Sequence, residues 1–186
     1  MANAKKMDYA ILGLLCHQPM TGYDIKKWID KSLRLFWGIS YGSIYPTLST
    51  LTANGMISAS DVSTNERTKI AYTVTDKGRA YLQKWLEVPA GKNEMRYETL
   101  LKLFFGDELG PESSIRQIEV FEKKVRAELE LLRPIAERLT TLSKSADSAH
   151  LYHYLTCQFG LELYEGDLRW CAEAKKLLKE GFEQKL

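Results

Sequence analysis

The chain has 186 residues, 45% hydrophobic and 27% charged, with 26 Lys plus Arg against 24 Asp plus Glu. That balance excludes a disordered or fibrous chain, and at roughly 100–200 residues per domain the length allows one large domain or two small ones. The longest uncharged apolar run, residues 9–16, is flanked by Asp8 and His17 and falls far short of the ~20 residues of a membrane span, so neither a span nor a signal peptide is expected.

Residues 7–16 place Tyr9, Leu12 and Cys16 at helical spacing, with Ile11 and Leu15 alongside, which predicts a first helix behind a short basic arm. Pro19 breaks the ladder, and Thr21 offers an oxygen to cap a second helix, with Asp24 near the reciprocal position of a capping box. Tyr23, Ile25, Trp28 and Ile29 carry that helix toward Phe36 and Trp37, before Gly38. Tyr23 is expected to pack near its start. A third helix is predicted from about 40 to 53, with Ile44, Leu48 and Leu51 on one face and Gly55 as its stop. Pro46 is tolerated there only within the first turn, where its missing N–H has no acceptor to lose. Two β-rich stretches, 56–62 and 69–74, flank a polar hairpin loop at 63–68, and Thr75-Asp76 caps a fourth helix through Trp85 and Leu86.

Pro89, Gly91 and Asn93 interrupt the pattern and set the expected boundary between a domain of residues 1–88 and one of residues 93–186. The second reads as all helix: a short segment over 94–105, a helix of about 30 residues from 110 that Pro134 should kink, and a third over about 147–182. Long helices with apolar stripes bury little alone and usually pack on a symmetry mate, for which Leu129, Leu132, Leu161, Leu168 and Trp170 are the candidates. Charge divides with the domains. Residues 1–88 carry 11 basic and 7 acidic side chains, a net of +4, and residues 89–186 carry 15 and 17, a net of −2, so only the first suits a polyanion. The three cysteines, Cys16, Cys157 and Cys171, form no CxxC pair and leave one unmatched in any pairing, which favours buried thiols in a reducing, cytoplasmic compartment.

The expected fold is mainly α with a small β-hairpin wing, because helix, helix, helix and β-hairpin within roughly 75 residues is the order of a winged helix-turn-helix. The wording narrows it: Ala10-Ile11-Leu12-Gly13-Leu14-Leu15, Gly22-Tyr23-Asp24-Ile25, Phe36-Trp37, Gly42-Ser43-Ile44-Tyr45-Pro46-Thr47-Leu48, Gly55-Met56-Ile57 and Tyr72-Thr73-Val74-Thr75-Asp76-Lys77-Gly78. These motifs, spanning residues 8 to about 86, resemble the PadR family of bacterial transcriptional regulators. The resemblance implies a homodimeric winged-helix protein that binds double-stranded operator DNA, usually represses nearby genes, and releases its operator on binding a small molecule. The three C-terminal helices resemble the larger subfamily, which includes regulators of phenolic acid decarboxylation and a virulence activator. A phenolic acid is therefore the candidate effector. An activator, or a winged-helix module that docks a protein instead of DNA, stands as the alternative.

On this reading Ser40, Tyr41, Ser43, Tyr45, Pro46 and Thr47, with Thr50, present hydroxyl and aromatic groups at the exposed start of the third helix to phosphates or base edges. The helix has no Lys or Arg, so thymine methyls, water and DNA shape would carry specificity. Arg67 and Lys69 at the wing tip, with Lys26 and Lys27, are candidates to neutralise phosphate. His150, His153 and Cys157 share a helical face that also suits packing, and no fourth ligand has metal spacing; His150, His153 and Tyr154 are instead candidates to line an aromatic effector pocket. No glycine-rich phosphate loop, nucleophile elbow or HExxH occurs. No cofactor, metal or enzymatic activity is expected.

Overall fold

The computed structural model of the chain describes residues 2–33, 36–37, 41–63, 69–91, 93, 96–144 and 148–183. The chain divides into two compact units, Met1–Lys92 and Asn93–Leu186.

In the first unit, α1 (Ala2–His17) buries Met7, Ile11, Leu12, Leu14 and Leu15 along one stripe. Pro19 ends it. Thr21 then caps α2 (Gly22–Lys31) through a complete capping box: its hydroxyl oxygen accepts from the Asp24 N–H at 3.2 Å, and the Asp24 carboxylate accepts from the Thr21 N–H at 3.2 Å. The same Thr21 closes a two-residue strand, β1 (Met20–Thr21), too short to show any alternation in sequence. The second helix stops at Lys31, where Ser32 donates its N–H to the Trp28 carbonyl, rather than running on to Phe36 and Trp37.

A 3-10 turn (Tyr41–Ser43) leads into α3 (Ile44–Ala53), so Pro46 is its third residue and falls in the first turn. Gly55, at φ +67°, ends α3 in a conformation that L side chains rarely adopt. The wing follows as β2 (Ile57–Asp61) and β3 (Ile70–Val74), antiparallel with Ile57 opposite Val74 and Asp61 opposite Ile70. β1 pairs on the other edge of β3, giving the order β1-β3-β2. Thr75 caps α4 (Asp76–Leu86) by accepting the Gly78 N–H and donates its own hydroxyl to the Gly55 carbonyl at 2.8 Å. Gly78 is required there, because a Cβ would stand 2.1 Å from the Met56 carbonyl oxygen. Tyr9 of α1 is sandwiched by α4: its ring stacks on Trp85 at 4.4 Å, and its hydroxyl lies 3.2 Å from that of Tyr81, whose pKa is pushed up to about 12 by that bond and by burial.

In the second unit, α5 (Glu98–Phe104) is shorter than expected and is followed by a 3-10 turn (Gly106–Glu108). Gly110, at φ +79°, and Pro111 then open α6 (Pro111–Leu142), which stays one helix through Pro134. α7 (Ser148–Glu183) returns antiparallel, since Glu122 early in α6 meets Lys175 late in α7, whereas Leu132 and Arg133, further along α6, meet the earlier Gly160 and Glu165. Their seam buries Ile118, Val125, Leu129, Leu132 and Ala136 of α6 with Cys157 and Cys171 of α7. Gly160 lets the helices close, because a Cβ there would lie 2.9 Å from Leu132 Cδ2. The Glu122 carboxylate accepts one hydrogen bond across the seam from Lys175 and one within α6 from Arg126, which hold it below the usual glutamate range. Among the described residues no helix is long and apolar enough to cross a membrane.

Candidate nucleic-acid interface

The helical period sorts α3 into two faces. Ile44, Thr47, Leu48 and Leu51 are buried against the core of the first unit, and Tyr45, Pro46, Ser49 and Thr50 are left exposed. Thr47 is only 8% accessible. The expectation that it faces outward is corrected: position 47 falls in phase with Ile44, Leu48 and Leu51, and its hydroxyl chemistry hid that phase. Ser49, four residues after Tyr45, takes its place on the exposed face and was legible from spacing alone. The Thr50 hydroxyl donates to the Pro46 carbonyl at 3.0 Å, which leaves its oxygen able to accept but turns its proton inward.

Tyr45 is 65% exposed, yet its ring is not loose. It lies against the backbone of Gly22, where an added Cβ would meet Cε1 at 2.7 Å and Cζ at 3.2 Å. The α2 start therefore seats the large exposed side chain of α3, and the missing Cβ at 22 is what makes room. Tyr41 anchors the turn before α3: its hydroxyl donates to the Asp30 carboxylate, and Lys26 Nζ sits 5.2 Å from its ring centroid. Ser43, half-buried, occupies the N-cap position of α3. Ser40 lies outside the described residues. Tyr23 is 68% exposed rather than packed as expected, because Gly22 and Ile25, not residue 23, take the buried face of α2.

At the wing, Val62 donates its N–H to the Lys69 carbonyl at 2.8 Å, and the Lys69 N–H returns a bond to Ser63 Oγ at 2.9 Å. Ser63 in turn donates its N–H and hydroxyl to Asp61, whose carboxyl they hold below the usual aspartate range. This local network fixes the last described residues of the hairpin and leaves the Lys69 side chain exposed, as are Lys26, Lys27 and Lys31 on α2. Arg67 lies outside the described residues. The arrangement suits a polyanion: a helix face of hydroxyls and one seated tyrosine, with exposed lysines on the preceding helix and on the wing.

The second unit redistributes the expected dimer residues. Leu129 and Leu132 are buried within the chain, Leu132 at 0% accessibility, because the first surface available to an apolar stripe on α6 is α7 of the same chain. That corrects their expected role. Leu161, Leu168 and Trp170 are half-buried, and Trp170 meets Phe121 of α6 edge to face at 6.2 Å. Large apolar groups that do stay exposed include Leu101, Phe104, Phe105 and Leu109 around α5, Leu131 on α6, and Leu151, Leu155 and Phe159 at four-residue steps on α7. His150, His153 and Tyr154 are half-buried on α7. They do not line the cavity of about 230 Å³ that Tyr97, Leu100, Phe121, Leu163, Asp167 and Trp170 enclose. No group of three or more His, Cys, Asp or Glu among the described residues is placed to hold a metal, and burial pushes the Cys157 thiol up.

Known proteins match both units. The sequence pattern of the Transcriptional regulator PadR-like family covers residues 11–84, and that described as Virulence activator alpha C-term covers residues 95–179. The Negative transcriptional regulator PadR of Bacillus subtilis is 30% identical over 171 residues, covering 88% of this chain and 92% of that protein. Crystal structures of Bacillus subtilis PadR agree in fold. The complex with operator DNA has a TM-score of 0.81 at 29% identity, covering 92% of this chain and 98% of the other. The complex with p-coumaric acid has a TM-score of 0.76 at 29% identity, covering 95% and 97%. Winged helix, helical second unit and sequence therefore agree, and the chain belongs to the PadR-like family of transcriptional regulators.

Proposed function

We propose that this chain is a homodimeric, sequence-specific DNA-binding repressor whose two winged helices occupy successive major grooves of a pseudo-palindromic operator, about 34 Å apart. The observation that carries the reading is the exposed face of α3, where Tyr45, Pro46, Ser49 and Thr50 stand clear of a buried Ile44-Thr47-Leu48-Leu51 stripe, with exposed lysines on α2 and at the wing. The domain of residues 1–88 supplies the DNA contacts and that of residues 93–186 the dimer. The solved complex of Bacillus subtilis PadR with operator DNA supports the first, and exposed apolar groups support the second: Leu101, Phe104, Phe105 and Leu109 are exposed together on and beside α5, and Leu151, Leu155 and Phe159 at four-residue steps on α7. The complex of that relative with p-coumaric acid supports a phenolic acid as the effector. Such a ligand lowers operator affinity only by the ratio of its affinities for the DNA-competent and DNA-incompetent forms.

A gel-shift titration against the chain's own upstream intergenic DNA, with excess non-specific competitor at two salt concentrations, tests the reading. Competitor-resistant binding that weakens steeply with salt is the expected result, with a log-log slope of about −0.9 per neutralised phosphate. Binding that competitor abolishes on every fragment of that region, or that ignores salt, would refute it. The match of residues 95–179 to a virulence activator region favours activation as the second reading, and a reporter driven from the bound promoter decides the sign.

A further inference from the structure

The second unit contains a carboxylate in an unusual place. Other acidic residues of α7 lie at the surface or in ion pairs: Glu162 and Glu173 are exposed, Glu165 faces Arg133 at 3.7 Å, and Glu180 faces Lys176 at 3.9 Å. Asp167 does neither. It is half-buried in the wall of the cavity of about 230 Å³, and among the described residues it has no ion pair and no hydrogen-bond partner. The other lining groups are Tyr97, Leu100, Phe121, Leu163 and Trp170, so the carboxylate faces two leucines and three aromatic rings. An ionised carboxylate so placed gives up hydration and receives no counter-charge from the described residues.

Asp167 shares one face of α7 with Leu163 and Trp170, four residues before it and three after. Across from them stand Phe121 of α6 and Tyr97, the residue preceding α5. The rings meet at steep angles rather than in stacks: Tyr97 on Phe121 at 5.7 Å and 88°, Phe121 on Trp170 at 6.2 Å and 75°. Edge-to-face contact leaves aromatic faces available that stacking would cover. Burial pushes the Asp167 carboxyl up, and burial together with the Asp167 charge pushes the Tyr97 phenol up, so carboxylate and ring sit in one poorly hydrated space.

We infer that this cavity binds a small organic cation, an alkyl- or arylalkylammonium, with Asp167 as its counter-ion and the rings of Tyr97, Phe121 and Trp170 as its cage. An ammonium group is the guest whose charge both features reward, through the ion pair and through the negative faces of the rings. An anion such as a phenolic acid is repelled by the same carboxylate, so this site is distinct from that of the effector proposed above. The volume lies below the ~300–1,000 Å³ of pockets for drug-sized ligands, which limits the guest to about one ring. Cation binding does not depend on operator binding and is read without DNA.

The test is calorimetric titration of the full chain with benzylamine and with benzyl alcohol and benzoate, its neutral and anionic counterparts. Benzylamine should saturate at one per chain, at least tenfold tighter than benzyl alcohol, with no measurable benzoate binding. Asp167→Asn, which keeps the side-chain volume and removes the buried charge, should lower benzylamine affinity tenfold or more and leave the alcohol unchanged. Phe121→Leu supplies a second variant, weakening the amine more than the alcohol by loss of a ring face. Failure of benzylamine to saturate the wild-type chain, affinity unmoved by Asp167→Asn, or benzoate binding as well as benzylamine would each overturn the inference.

Discussion

Gly22→Ala should weaken operator binding without weakening the fold. The new Cβ would stand 2.7 Å from Cε1, 3.2 Å from Cζ and 3.3 Å from the hydroxyl oxygen of Tyr45. Carbon atoms settle at about 3.5–4.0 Å, so the ring must move by roughly 1 Å. Because Tyr45 is 65% exposed, it can swing into solvent and lose only part of its packing. The backbone of α2 need not shift, and a fold-stability change of less than about 1 kcal/mol follows. Binding is less forgiving. A hydrogen bond to a base edge or phosphate loses most of its strength when displaced by an ångström, and with good base contacts worth about 1–3 kcal/mol, a loss near the lower end lowers operator affinity about five- to tenfold. Gel-shift titration and urea denaturation of the same preparation measure the two effects. The sharper check is a double-mutant cycle, in which Gly22→Ala adds nothing once Tyr45 is already alanine, since the change acts through that ring. Equal loss of affinity in the Tyr45→Ala background, or a large loss of stability with affinity intact, would refute the reasoning.

Gly78→Ala should act oppositely, because the obstructing atom, the Met56 carbonyl oxygen at 2.1 Å, is backbone that also accepts the Thr75 N–H at 3.0 Å; a loss of about 3 kcal/mol by urea denaturation is expected, and a loss below about 1 kcal/mol would show that the α4 start moves easily. Glu122→Gln should cost about 1–2 kcal/mol at neutral pH by weakening charge-assisted bonds to Lys175 and Arg126. Its sign with pH is set: the folded chain holds the Glu122 carboxyl below its ordinary value of 4.5, so the wild-type advantage is full above about pH 4.5 and disappears as the pH falls through the lowered value. A difference constant down to acid pH would mean the carboxylate contributes packing alone. Lys69→Ala should lower operator affinity evenly across sequences and reduce the salt slope by about 0.9, as one lost phosphate contact does; an unchanged slope would remove the wing from the interface. Phe104→Glu combined with Phe159→Glu should convert dimer to monomer in sedimentation while circular dichroism holds, since both side chains are exposed within one chain.

Element identity was largely a local matter. Thr21 and Asp24 announced a capping box, Gly55 a helix stop and Pro46 a first turn, each through an interaction spanning at most four residues, and the folded chain has all three. The order of helices and hairpin, with the Gly-Tyr-Asp-Ile and Ser-Ile-Tyr-Pro-Thr-Leu wording, carried the family. β1 escaped because two residues have no period, and α2 was drawn too long because apolar residues such as Leu33, Phe36 and Trp37 extend its pattern past Lys31, where the helix ends.

What the sequence by itself determined, then, was which segments are helix or strand and which family they compose, since caps, turns and periodicity are written within a few neighbouring residues. Partnership was decided only in three dimensions. Leu129 and Leu132 looked like interface and turned out to be the α6–α7 seam, since an apolar stripe reads the same whichever partner covers it. Gly22 beneath Tyr45, and Tyr97 beside Asp167 seventy positions later, meet only because helices distant in sequence pack side by side, and no local signal records which residues packing will bring together.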